Sequence, residues 1–191
     1  MIPIIDISSL YGKSCINRDK VNQSLIDAAT SIGFAQIKGI PNILLSIEVR
    51  EKLLSIFLLS NKEKRKLFRW NFEKKNKNIY RWWFPLQNGF PTFKEGIDIG
   101  PDLVRKIKKH INDPLTELTP FPEENIIPGW RNLAKDYYNA MEFTGRVIMR
   151  SIARSFNLHE TFFDKSFEFG ISTLRFLHYH IRDKNSYHGK E

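Results

Sequence analysis

The chain has 191 residues, 41% hydrophobic and 13% aromatic, enough for one domain with a real core and outside the compositions of disordered or collagen-like chains. Its single cysteine, Cys15, excludes an internal disulfide and fits a reducing, cytoplasmic compartment. MIPIIDISSL lacks the basic start of a signal peptide, and no apolar run reaches the roughly 20 residues of a membrane span.

Residues 2–7 (IPIIDI) form a short β-branched strand, and a helix is expected from Arg18 to Ser31, with Val21, Leu25, Ala28 and Ala29 on one face. Gly33 ends that helix, and FAQIK (34–38) is a second strand closed by Gly39 and Pro41. Leu45, Val49, Leu53, Ile56 and Phe57 mark a second amphipathic helix from Asn42 to about Leu59. Asn61 is the expected cap of a shorter helical turn, with Glu63 near its positive end.

The net charge of +9 lies wholly within 61–112, densest in NKEKRKLFRWNFEKKNK (61–77). Basic residues interleaved with Phe68, Trp70 and Phe72 can bind nucleic acid by phosphate neutralisation and stacking. A solvated lysine-rich helix end with inward aromatics is the favoured reading, since no nucleic-acid motif accompanies the charge.

Residues 80–100 (YRWWFPLQNGFPTFKEGIDIG) carry three glycines, two prolines and six aromatics and read as an ordered, packed loop. A small basic helix is expected over 101–112, then a proline-rich connector over 114–128. The strongest helix is 130–157, where Leu133, Tyr137, Met141, Thr144, Ile148 and Ile152 make a core-facing stripe. GISTLRFLHYH (170–180) alternates polar and apolar residues as a strand does. With no other strand nearby in sequence, its partners are expected beyond the chain, leaving a sticky edge and low solubility.

Phosphate loops, dinucleotide fingerprints, C-x-x-C pairs and serine-nucleophile elbows are absent. The five histidines, His110, His159, His178, His180 and His188, do not make the H-x-D…H arrangement of a mononuclear iron centre. His178 and His180 share one strand face, but two imidazoles under-coordinate a metal, so partly buried, hydrogen-bonded histidines are favoured. On the other face Arg175 and Tyr179 either hold a ligand carboxylate or belong to a buried Arg–acid pair; both readings stay open.

Taken in order, IPIIDIS (2–8), AATSIGFAQIKGIP (28–41), FLLSNKEKRKL (57–67), FPLQNGFPTFKEGIDIGPD (84–102), PGW (128–130) and STLRFLHY (172–179) resemble the N-terminal region of the non-haem iron oxygenases. This is the family of isopenicillin N synthase and the 2-oxoglutarate-dependent dioxygenases. The resemblance implies a mixed α/β, helix-rich region leading into a double-stranded β-helix, or jelly roll. Residues 1–120 match the N-terminal-like region, and 121–191 a connector, long helix and incomplete start of the jelly roll. It implies iron(II) and 2-oxoglutarate as cofactors of the intact family, and an oxidoreductase acting on a small molecule.

The family's H-x-D…H ligands and its R-x-S pair lie C-terminal to the strand matched by STLRFLHY. The expectation is therefore a truncated remnant, or half of a split enzyme completed by a separate C-terminal polypeptide, with no tight cofactor binding by this chain alone. From the family's N-x-Y-P element, Tyr179 carries over as a cosubstrate contact, with Leu177 in place of the asparagine and His180 in place of the proline. Arg81 is the candidate contact for a substrate carboxylate. Gly39-Ile40-Pro41 stands where the family has G-H-G-I-P, a shortened turn. The competing reading is a non-enzymatic module binding an anionic partner such as nucleic acid through 61–112.

Overall fold

A computed structural model describes residues 1–13, 15–41, 46–86, 93–107 and 113–181. The chain forms two units that alternate along the sequence. Met1–Val49 with Asp136–Gly170 make the first, and Arg50–Lys135 with Ile171–Glu191 the second.

In the first unit, β1 (Ile4–Asp6) pairs in parallel with β2 (Gln36–Lys38), joined by a crossover through α1 (Ile16–Ser31). Alternation along β1 turns Ile5 inward, where it meets Ile7, Leu10, Leu25, Ala28 and Val147 in one apolar cluster. Gly39 sits at φ +78°, and a Cβ there would lie 2.2 Å from Asp6 Oδ1. The Gly39-Ile40-Pro41 turn therefore needs its glycine. Polar groups tie α1 to the second half of α4 (Trp130–Ser155), a helix whose residues belong in part to each unit. Asn22, 6% exposed, accepts hydrogen bonds from Ser151 Oγ (2.6 Å) and Arg154 Nη2 (2.9 Å). Glu160 takes Arg18 and Arg154 together, and Arg150 clasps Asp164.

The second unit holds α2 from Arg50 onward (whole helix Ile47–Leu54), α3 (Asn61–Lys66) and an antiparallel sheet. Its strands are β3 (Trp82–Phe84), β4 (Lys94–Ile99) and β5 (Leu174–Tyr179), with β4 in the middle. Trp83, Ile97 and Phe176 are in cross-strand register on one face, which packs on Phe57 and Trp130. Asp98, Gly96, Arg175, Leu177 and Tyr179 alternate onto the other face. On its far side β3 is bridged by the segment through Phe68, with Trp83 N–H donating to the Leu67 carbonyl.

Several expectations are corrected here. Residues 80–100 are not an irregular loop throughout: β3 and β4 lie within them, and 87–92 fall outside the described residues. Aromatic and glycine content hid the strands, because β4 is buried along nearly its whole length and shows no alternation. Hence β5 is not unpaired. It lies along β4 over all six residues, and Phe176 is buried, although no second strand flanks it among the described residues.

The second helix is shorter than its stripe implied. It ends at Leu54, Ile56 and Phe57 follow in a 3-10 turn, and Leu45 lies outside the described residues. The cap of α3 is Ser60, whose hydroxyl accepts the Glu63 N–H, one residue before the expected Asn61. Over 101–112 only a 3-10 turn at Pro101–Leu103 is present among the described residues. In α4 Thr144 of the expected stripe is buried, together with Ala134, Tyr138, Val147 and Ser151, while Leu133, Tyr137, Met141, Ile148 and Ile152 flank them half-buried. Away from Thr144 the buried line therefore runs about one residue off the expected stripe, through several small or polar side chains. No helix among the described residues is long and apolar enough to cross a membrane.

Candidate functional site

Glu95 on β4 and His178 on β5 are directly opposite in the register, and His180 follows two residues later on the same side. Glu95 is 4% exposed, yet its Oε1 lies 3.0 Å from His178 Nδ1, 3.1 Å from His180 Nε2 and 3.3 Å from Lys64 Nζ. Trp83 Nε1 donates to Oε2 at 3.1 Å. Burial alone would raise the Glu95 pKa. The hydrogen bond from His178, the Lys64 charge and the Trp83 indole reverse this and hold the carboxyl below its ordinary range. The imidazole rings are 4.3 Å apart, His178 packing on Phe57 and His180 on Phe93.

Both histidines are partly buried and hydrogen-bonded, as expected. What the strand pattern could not disclose is their third partner, because Glu95 lies in the segment read as loop. One carboxylate and two imidazoles form the one group among the described residues able to hold a metal ion, with ligand atoms within 4.8 Å of one another. His110 and His188 lie outside the described residues. His159 makes a local bond to Thr161.

The opposite face of the same sheet carries Tyr179, 61% exposed and in register with Lys94. Arg175 there holds the fully buried Asp98 through Nε at 2.5 Å and Nη2 at 2.8 Å, with Arg69 as the second partner. Of the two readings left open for Arg175, the Arg–acid pair is the one formed. Asp98 and the Arg69 charge were both missed in sequence, since 77 residues separate Asp98 from Arg175.

Arg81 is fully buried, donating from Nη1 to Thr173 Oγ1 (2.6 Å) and from Nη2 to the Leu115 carbonyl (2.8 Å). Its Nε–H has no partner among the described residues. In the basic segment only Lys64 and Arg69 turn inward, to Glu95 and Asp98; Lys62, Arg65, Lys66, Lys74, Lys75 and Lys77 are exposed, with Lys66 paired to Glu63 and Lys74 over the Trp70 ring. This is the solvated lysine-rich segment favoured in sequence, and no nucleic-acid motif accompanies it.

A 2-His-1-carboxylate set is the donor chemistry of non-haem iron. The Glu95 set does not fit an iron–cosubstrate centre served by Tyr179, because alternation puts the two on opposite faces of one sheet.

The mixed helix-and-sheet arrangement is that of 2-oxoglutarate-Fe(II) oxygenases, whose fold is the jelly roll. A 2OG-Fe(II) oxygenase family protein from Caulobacter crescentus superimposes with a TM-score of 0.73 at 22% identity, over 93% of this chain and 56% of that one. In sequence the chain is 27% identical to the 2-oxoglutarate-Fe(II) type oxidoreductase hxnY of Emericella nidulans, over 96% of this chain and 54% of the relative. It is 28% identical to isopenicillin N synthase of Streptomyces jumonjinensis, over 86% of this chain and 50% of that one. The chain thus spans about half the length of these curated relatives. No protein-family model matches it. A Neurospora crassa protein crystallised in complex with alpha-KG and thymine shares the fold, with a TM-score of 0.69 at 19% identity over 93% of this chain and 55% of that one.

Proposed function

We propose that residues 1–191 are part of a non-haem iron(II)/2-oxoglutarate-dependent oxidoreductase acting on a small molecule in the cytoplasm. In this reading the H-x-D…H iron ligands and the R-x-S pair come from polypeptide outside these residues, continuous with them or separate. The single observation supporting it is that similarity runs through almost the whole chain yet matches only about half of each relative. The N. crassa complex with alpha-KG and thymine supports a small-molecule substrate.

Within this reading Tyr179 donates its phenol to the cosubstrate carboxylate from the face it shares with Gly96 and Leu177. Arg81, fully buried and bound to Thr173 and the Leu115 carbonyl, braces this region from behind and does not itself reach a substrate carboxylate. The intact centre supplies oxidation of the substrate by O2 coupled to 2-oxoglutarate decarboxylation; residues 1–191 supply the face that receives the cosubstrate.

The test is to read the transcript past codon 191 and the adjacent reading frames, then co-express what is found. The expected result is an H-x-D, a distant His and an R-x-S, and succinate release that needs both portions. Tyr179→Phe should raise KM for 2-oxoglutarate and leave the fold intact. Absence of those motifs from every frame would overturn the reading.

A further inference from the structure

We propose that Glu95, His178 and His180 form a binding site for a divalent transition-metal ion of the Zn(II) class, separate from any iron centre. The ion would be held by Glu95 Oε1, His178 Nδ1 and His180 Nε2, with water in the fourth position.

Three observations on this face carry the assignment. First, three nitrogens converge on Oε1. His178 Nδ1 and His180 Nε2 approach it at 3.0 and 3.1 Å, and the Lys64 ammonium at 3.3 Å, shared with Oε2 at 3.4 Å. A cation between the three ligand atoms serves the same convergence. Each neutral imidazole turns a lone pair, not a proton, toward the centre, and one ion replaces the converging donors. The arrangement is then the two-His, one-carboxylate set that zinc accepts with an open fourth position.

Second, the groups behind the ligands are already in place. Trp83, fully buried, donates to Oε2 at 3.1 Å and so fixes the carboxylate with Oε1 facing the imidazoles. Phe57 and Phe93 pack against the two rings and restrict their rotation.

Third, the site is reachable. The imidazole side chains are 42% and 32% exposed, so an ion and its water can enter without opening the core. Lys64 is the present counter-charge. It sits 3.3 and 3.4 Å from the two oxygens, on α3, with its side chain 12% exposed, and would give way to the ion as a competing cation.

The assignment does not rest on the oxygenase reading. Tyr179 lies across the sheet, and the iron chemistry implied by the family would be supplied elsewhere.

The experiment is a Co(II) titration of the 191-residue chain, followed by visible absorption, with Zn(II) as competitor. Intense d–d bands of a four-coordinate site should saturate at one equivalent and vanish on Zn(II) addition. His180→Ala, at the strand end, should abolish them while far-UV circular dichroism is unchanged. Trp83→Phe should weaken binding about 10–100-fold, the usual cost of losing a group that orients a ligand. Lys64→Met should tighten it, since a competing cation is gone. His159→Ala and His188→Ala should leave it unchanged. The proposal is overturned if no saturable band appears, if folded His180→Ala binds as the parent does, if Lys64→Met binds more weakly, or if His188→Ala removes the signal.

Discussion

Asp98 and Arg175 face each other across β4 and β5, joined by two hydrogen bonds of 2.5 and 2.8 Å, with the carboxylate wholly out of solvent. Arg69 closes the other side of the carboxylate. Burying one acid between two guanidiniums is tolerable only while all three stay together. Asp98→Ala leaves two cations around an empty site and should cost about 3–5 kcal/mol. Urea unfolding of this variant checks the figure. Arg175→Met should cost much less, because Arg69 still neutralises Asp98 and residue 175 is on the open side.

Gly96 is the close-approach point of the same face. A Cβ there would stand 2.4 Å from Phe84 Cζ and 2.8 Å from both Leu177 Cδ2 and the Phe176 carbonyl. Gly96→Ala should destabilise by about 1–3 kcal/mol through overpacking. Adding Phe84→Leu should recover part of that loss, and a double-mutant cycle on the two sites measures the coupling.

In the first unit, the Asn22 side-chain oxygen serves two donors on α4 at once, Ser151 and Arg154. Asn22→Ala leaves the Ser151 hydroxyl buried without that acceptor and should cost about 1–3 kcal/mol. Thermal unfolding of Asn22→Ala beside Asn22→Asp, which keeps an acceptor, separates the lost hydrogen bond from lost packing.

Acid should act on the same unit through Asp164. Its carboxyl is held below the ordinary range by the hydrogen bond from Arg150, assisted by the charges of Arg150 and Arg146 and opposed by slight burial. A depressed folded-state pKa means stability that is full above the unfolded value, near 3.8, and lost as pH falls through the lower folded value. Arg150→Ala should therefore lower stability at neutral pH and flatten its fall below about pH 4. Unfolding midpoints across the acid range up to neutrality, for parent and variant, read this directly.

How much of this was legible depended on range. β1, α1, β2, α4 and β5 carried their own periodicity, and each stands within a few residues of where the sequence put it. β3 and β4 did not, because a strand buried on both faces loses the alternation by which strands are recognised. The site failed for the same reason. His178 and His180 were visible as a pair, but Glu95 belonged to a strand that had not been seen. Tyr179 was marked by its spacing from Arg175 on one strand face and again by the resemblance to a family, whereas Arg81 was singled out as a candidate only alongside that resemblance.

The partnerships that complete each unit join remote parts of the chain: Asn22 to Ser151 across 129 residues, Asp98 to Arg175 across 77. A ribosome delivers the chain from one end, so β4 and its buried acid emerge long before β5 can cover them. During synthesis Asp98 has Arg69 as its earlier-made counter-charge, while Arg175 arrives last. Closure of both units is then a late, long-range event, of the kind that makes folding slow and leaves strand edges exposed meanwhile. The order in which the chain is made, as much as its final contacts, sets when this protein is vulnerable.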